Sequence, residues 1–266
     1  MACIAFAAVY LYRRGWAWIG LMIFVAAMIF TIKTGSKTTV ALVPLAVLVV
    51  VLPSIIGWRK ATVLVFLLAV SAIAISTLGI VFIPPVKAMV HAYFPNLTYT
   101  GRTDIWTFAG EMLPKRLWTG YGFEGFWTTP IVDNTILPFD TEWDVRGAGH
   151  AHNGYLDIAL TLGLPALIAL VVAFIIEPAR DYLRVPPRRE NIFLGDLFMM
   201  ILFFTLLNAF LESFFFRRAD PIWLLFVFSA LGLRMVARYP LQSSWRRQSR
   251  PLTPQAGWSH QYFADE

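Results

Sequence analysis

The stretch Gly149-His150-Ala151-His152-Asn153-Gly154-Tyr155-Leu156-Asp157 places two imidazoles, an amide and a carboxylate where a polar, aromatic-rich loop enters a long apolar run. An unperturbed imidazole titrates near pH 6.5, so a neutral histidine accepts a proton from a hydroxyl at working pH. His152 is the candidate base on that ground, with His150 as an assistant. The bland alternative for His152 is a structural ring hydrogen-bonded to a loop carbonyl. Metal binding by the pair lacks further ligands at an obvious spacing. Asn153 suits the N-cap of the helix that follows, and Asp157 suits its first turn, where the helix dipole favours negative charge. Together with Tyr155 these residues would support the histidine.

Cations gather on the same side of the chain. Arg102 lies in Thr100-Gly101-Arg102-Thr103-Asp104-Ile105-Trp106, Lys37 in Thr34-Gly35-Ser36-Lys37-Thr38, and Arg217-Arg218 form a pair. Together they suit a phosphate or diphosphate, with arginine offering two-pronged contacts; snorkelling to lipid headgroups is the ordinary alternative. Glu212 reads as an ion-pair partner for Arg217 or Arg218. No Asp-x-Asp and no glycine-rich nucleotide loop occurs, which argues against a nucleotide-sugar donor held by a divalent metal. A lipid diphosphate needs neither, because its leaving group is good and arginines neutralise the developing charge. No metal and no cofactor is therefore expected. Trp106, Tyr121 and Trp127 are candidate rings for stacking on sugars, against the alternative that they mark headgroup depth.

These residues need a scaffold, and composition names its class. The chain is 58% hydrophobic and 14% charged, unlike a soluble domain. Apolar runs at 15–32, 39–57, 61–83, 155–177, 193–211 and 221–237 match the length of membrane-crossing helices. Residues 1–12 are long enough for about half a crossing and read as a truncated helix, in a chain that is the C-terminal part of a longer polytopic protein. The expected fold is all-α and polytopic, with N-terminal spans in 1–83, one large loop at 84–154, C-terminal spans in 155–238 and a tail at 239–266. In that loop, Thr100 or Thr103 caps a short helix running to about Leu113, ahead of Pro114. The single cysteine, Cys3, excludes an intramolecular disulfide.

The net charge of +6 is read as topology. Arg13, Arg14, Arg59, Lys60, Arg180, Arg184, Arg188, Arg189, Arg238, Arg246, Arg247 and Arg250 fall on one side, which the positive-inside rule makes cytoplasmic. The loop at 84–154 then faces the periplasm in a bacterium. No basic face on a folded soluble domain is visible, so nucleic acid is not an expected partner.

The run His150-Ala151-His152-Asn153-Gly154-Tyr155-Leu156-Asp157, followed by Gly163, resembles the His-Asn motif of the O-antigen ligase and O-antigen polymerase superfamily. Thr100-Gly101-Arg102-Thr103-Asp104-Ile105-Trp106 and Thr119-Gly120-Tyr121-Gly122-Phe123 resemble the preceding loop blocks, in the order of the exopolysaccharide-polymerase branch. The resemblance covers roughly residues 30–235. It departs at Ala166, where the family has a second motif glycine, and at Ser36-Lys37, where the family often has Ser-Arg. Lysine keeps the charge there and loses the fork.

The resemblance implies a GT-C-like transferase of the bacterial inner membrane. It would move a glycan, with inversion and without metal, from an undecaprenyl-diphosphate carrier to an acceptor hydroxyl at the periplasmic face. His152 would be the base and Arg102 the loop arginine, joined on the diphosphate by Lys37, Arg217 and Arg218. Polymerisation is the leading reading and ligation to a lipid A core the alternative. Expected partners are the lipid-linked oligosaccharide, membrane lipid and a chain-length regulator. A polysaccharide transporter or a non-catalytic export factor is the rival from another class.

Overall fold

The computed structural model describes residues 1–93, 101–135 and 144–241, all-helical with connecting loops and no strand among them. Most of the tail expected at 239–266 therefore lies outside the described residues. The helices are α1 Ala2–Arg13, α2 Ala17–Lys33, α3 Lys37–Ile55, α4 Arg59–Phe82, α5 Pro84–Tyr93, α6 Arg102–Met112, the single turn α7 Pro130–Asp133, α8 Gly154–Val171, α9 Glu177–Arg184, α10 Arg189–Asn208 and α11 Pro221–Arg238. A π-helical turn, Val172–Ile176, fuses α8 to α9.

Five helical runs are long and apolar enough to cross a membrane: α3, α4, the fused run Gly154–Arg184, α10 and α11. The span expected at 15–32 forms as α2, whose 17 residues reach about 25 Å, short of a hydrocarbon core of about 30 Å. Gly15, at φ 106°, turns the chain out of α1 and takes the residues that would have lengthened α2.

One helix organises the rest. The most apolar window of α10 is 67% buried, whereas the other four spans are only 22% to 33% buried. Its core residues Met199, Met200, Phe203 and Phe204 meet Phe6 of α1 and Phe66 of α4. The outer helices turn Trp18, Met22, Leu48, Leu64, Leu68 and Phe228 outward, an apolar exterior suited to lipid. At the arginine-rich end α10 carries Asp196, with 0% exposure. It accepts from Arg13 Nη1 and Ser54 Oγ, both at 2.5 Å, and from Tyr182 Oη at 2.7 Å. Arg59 adds bonds to the carbonyls of Val185 (2.8 Å) and Tyr182. A buried charge must be paired or it costs several kcal/mol, and here one carboxylate ties α1, α3, α9 and α10 together.

The fused run is broken near its start. At Gly163 (φ 82°, ψ 174°) the backbone leaves helical geometry. The Thr161 carbonyl would have faced Pro165, which has no N–H, and the Leu160 carbonyl loses Leu164. Both are satisfied from the loop, by Gly122 N and Tyr121 N at 2.8 Å each, while Leu164 N donates to Leu117 O at 2.8 Å. The approach is close enough to need glycine on each side. A Cβ on Gly163 would lie 2.5 Å from Trp118 O, and one on Gly120 would lie 2.4 Å from Thr161 O.

Lengths show why the break is needed. Gly154 N meets Ala209 O at 2.7 Å, and Tyr182 Oη meets Asp196 at 2.7 Å. Between those contacts the fused run spends 28 residues (154 to 182), about 42 Å if straight, against 13 residues (196 to 209), about 20 Å, along α10. The path must bend, and Gly163 with the π turn supplies the bend.

The long loop has its own small core. Ile105, Trp106, Phe108, Ala109 and Met112 of α6 pack with Phe126, Trp127, Val132, Val145 and Ala148 over Leu156 and Leu160 of α8. α6 begins after Gly101, at φ 75°, with no side-chain cap, which corrects the expected threonine cap. Thr103 lies inside the helix and Thr100 lies outside the described residues.

Gly163→Ala should lower the thermal unfolding midpoint of the protein in nanodiscs, at a cost of about 1–3 kcal/mol. Gly147→Ala, where an added Cβ meets nothing within 4 Å, should leave it unchanged. Equal midpoints for the two variants would remove the argument for the broken helix.

Candidate functional site

The histidine loop is fastened at both ends. Asn153, with 0% exposure, caps α8 by accepting from Leu156 N at 3.1 Å, and its Nδ2 donates to Phe210 O at 3.2 Å. Tyr155 Oη donates to Leu206 O at 3.0 Å, beside the bond from Gly154 N to Ala209 O. The donors at the start of α8 thus meet carbonyls at the end of α10, where no helical partner remains. On the other flank Ala151 is gripped twice: its N–H donates to Asp157 Oδ1 at 3.0 Å, and its carbonyl accepts from Trp106 Nε1 at 2.8 Å. The same Oδ1 accepts from Trp127 Nε1 at 2.7 Å.

Held on both sides, His152 sits at φ 52°, in the left-handed region that costs a non-glycine residue energy. Its backbone N–H donates to His150 Nδ1 at 3.1 Å, and the two rings lie 4.0 Å apart, centroid to centroid. Because His150 Nδ1 accepts that bond, a neutral His150 carries its proton on Nε2. Burial pushes the His150 pKa down from 6.5 to about 4, and the neighbouring His152, Arg217 and Arg102 push it the same way. His150 is thus neutral at working pH, with its free N–H on the far side of the ring.

His152 Nδ1 is buried without a hydrogen bond and lies 3.7 Å from Glu212 Oε2. The other Glu212 oxygen, Oε1, accepts from Arg102 Nη2 at 3.1 Å. Glu212 therefore pairs with Arg102, 110 residues away in sequence, and not with the adjacent Arg217 or Arg218 that the sequence suggested. Arg102 opens α6, where the helix dipole disfavours a cation, so the carboxylate offsets an adverse position. Arg102, His152 and Glu212 form one cluster that only the docking of α8 on α10 assembles.

Beside it lies a cavity of about 370 Å³ lined by His150, Asp157, Ser213, Arg217, Trp127 and Phe215, among others. Arg217 belongs to this cavity. Arg218 and Lys37 are exposed at the same end of the bundle and take part in neither the cavity lining nor the Glu212 pairs. The aromatic candidates divide. Trp127 lines the cavity. Tyr121 is half-buried, donating to Met112 O at 3.0 Å under the Arg116 guanidinium. Trp106 has 0% exposure and carries the histidine loop from within the core, which corrects its expected place on a sugar-stacking surface. Among the described residues no group of three or more His, Cys, Asp or Glu is placed to hold a metal ion.

His150 should titrate near pH 4 by histidine-selective nitrogen NMR, and Arg217→Gln should raise that value. Its folded-state pKa is depressed, so an unfolded chain binds the proton that the folded loop refuses. Stability from this group is complete above pH 6.5 and is lost as pH falls through the window down to about 4. A titration at the ordinary value would show that the ring is not desolvated.

No curated protein and no solved structure matches this chain. The family described as O-Antigen ligase matches residues 1–171, from α1 to the end of α8, and Glu212, Ser213 and Arg217 follow that region. With more than half its length matched, its all-helical membrane fold and the His-Asn junction at the head of α8, the chain belongs to the O-antigen ligase family of multi-pass membrane proteins that process glycans.

Proposed function

We propose that the chain is a metal-independent, inverting glycosyltransferase that moves a glycan from undecaprenyl diphosphate to an acceptor hydroxyl, elongating an exopolysaccharide or O-antigen. One observation carries this reading: a single carboxylate, Glu212, lies between the loop arginine and the motif histidine, 3.1 Å from Arg102 and 3.7 Å from His152. A carboxylate beside Nδ1 favours the tautomer with its proton there, leaving Nε2 as the acceptor of a hydroxyl proton.

The reaction follows. As the acceptor oxygen attacks the anomeric carbon, its proton passes to His152 Nε2. The bond from that carbon to the diphosphate breaks, and the electron pair leaves with the diphosphate. Arg102 neutralises the growing charge, with Arg217, Arg218 and Lys37 at the same end of the bundle to hold the carrier. Attack in a single displacement inverts the anomeric centre.

The arginine-rich end, with Arg13, Arg59 and Arg189, suits the cytoplasm, which supports a histidine end facing the periplasm from a bacterial inner membrane. A chain-length regulator would act at that outer end. Ligation of polymer to a lipid core uses the same steps with a different acceptor.

His152→Ala should lower glycan elongation by about 10²–10⁴-fold while the protein still inserts in the membrane. Arg102→Lys and Glu212→Gln should each impair it by about tenfold or more, since the first loses the two-pronged donor and the second leaves Arg102 without its carboxylate. Normal chain lengths with inserted His152→Ala would sink the assignment. Normal polymer that fails only to join its lipid core would favour ligation.

A further inference from the structure

The cavity beside the Arg102–Glu212–His152 cluster has features that cluster does not use. Three of its lining residues, Glu124 (φ 54°), Thr128 (φ 59°) and Phe216 (φ 58°), hold left-handed backbone, and His152 (φ 52°) adjoins it. For a β-branched and an aromatic residue this is strained, and such strain persists only where the surroundings enforce it. Four of the chain's five described non-glycine residues with positive φ thus surround one hollow.

Its polar groups converge. Asp157 uses Oδ1 for both of its loop bonds, to Ala151 N and Trp127 Nε1, and its Oδ2 keeps a lone pair beside the Ser213 hydroxyl. Ser213, 8% exposed, is buried in the lining with its hydroxyl beside that carboxylate. His150 presents Nε2–H, since its Nδ1 is taken by His152 N. The Trp127 indole is fixed by Asp157 and braced edge-on by Phe126 at 4.9 Å. A hydroxyl acceptor, a hydroxyl donor and a flat ring in about 370 Å³ match the face and rim of one pyranose. Two carboxylates, Glu124 and Asp157, oppose the single Arg217 in the lining, which disfavours an anionic occupant.

We propose that this cavity is a neutral-sugar subsite, in which Asp157 Oδ2 and His150 Nε2–H read adjacent hydroxyls of the acceptor saccharide and Trp127 backs its ring beside His152. The placing of the acceptor rests on the transferase reading, but occupancy by a neutral sugar does not. Asp157 and His150 are positioning residues here: they hold the ring whose hydroxyl reacts and leave the proton transfer to His152.

Two variants separate binding from folding. Asp157→Asn retains an oxygen for the two loop bonds and turns the second oxygen into a donor. His150→Asn retains the acceptor for His152 N–H and removes Nε2–H. The intact chain in nanodiscs would be titrated with the methyl pyranosides of glucose, galactose, mannose and glucuronic acid by saturation-transfer NMR. Inorganic pyrophosphate binding would serve as a probe of Arg102. The expected result is binding of at least one neutral glycoside, weakened about tenfold or more by each variant, with pyrophosphate affinity unchanged. Unchanged glycoside binding in both variants would overturn the proposal, as would binding of the glucuronide alone or of no glycoside. Loss of pyrophosphate binding together with glycoside binding in both variants would also overturn it, because the residues would then hold the loop and not the sugar. If a glycoside binds as expected while the protein shows no glycan transfer, the transferase reading fails and the subsite stands.

Discussion

The junction of two helix ends governs this molecule. The last carbonyls of α10 are left without helical partners, and they accept from the start of α8: Ala209 from the Gly154 N–H, Phe210 from the Asn153 side chain and Leu206 from the Tyr155 hydroxyl. The macrodipoles meet with opposite partial charges, which favours the contact further in a low-dielectric setting. Glu212 follows α10 by a few residues and His152 precedes α8 by two, so the docking sets their separation. Neither side chain has to find the other. Arg102 then arrives on α6, which reaches α8 because Trp106 must bury its ring and finds the Ala151 carbonyl when it does.

The second constraint is the broken helix. A 31-residue run is much longer than the bundle requires. Removing residues would shorten it, but the chain keeps them and exposes backbone at Gly163, where the loop fills the vacated hydrogen bonds. Non-helical backbone within a membrane protein is tolerable only where protein covers it. The Thr119-Gly120-Tyr121-Gly122 block and Gly163 are thus two halves of one contact, and Gly120 and Gly163 are each needed because the other backbone sits within 3 Å of where the Cβ would be. The loop is held against α8 at that break and through the Ala151–Asp157 bond, which leaves the cavity between the two fastenings.

Several features were legible in sequence for physical reasons. Apolar runs of membrane length predict helices because lipid offers no hydrogen bonds, and Asn153 predicts the start of α8 because its side chain is shaped for a cap. The partner of Glu212 was not legible. Adjacency in sequence pointed to Arg217 and Arg218, whereas the pairing depends on tertiary docking across 110 residues. Trp106 misled for a related reason: an aromatic residue in a polar loop reads as interfacial until the loop proves to have a core of its own. Asp196 was hidden inside an apolar run, where hydropathy averages away one carboxylate that four helices share.

The distribution of buried polar groups bears on the rival reading as a transporter. Alternating access needs polar or broken-helix sites near mid-span, where a substrate can face either side. Here Thr31, Thr77, Thr205 and Ser229 bond to carbonyls of their own helices, which conceals their hydroxyls. Asp196 is saturated by Arg13, Ser54 and Tyr182 at the arginine-rich end. Among the described residues, the buried groups without a hydrogen bond lie toward the two ends: Arg59 Nε, Thr62 Oγ1 and Asn191 Nδ2 near the arginine-rich end, and His152 Nδ1 at the opposite one, next to strained backbone and a cavity. A substrate crossing the bundle would meet hydroxyls already satisfied along the helices, while one entering from the histidine end would meet a cavity lined by polar groups. That arrangement suits chemistry performed at one face on a lipid-borne substrate.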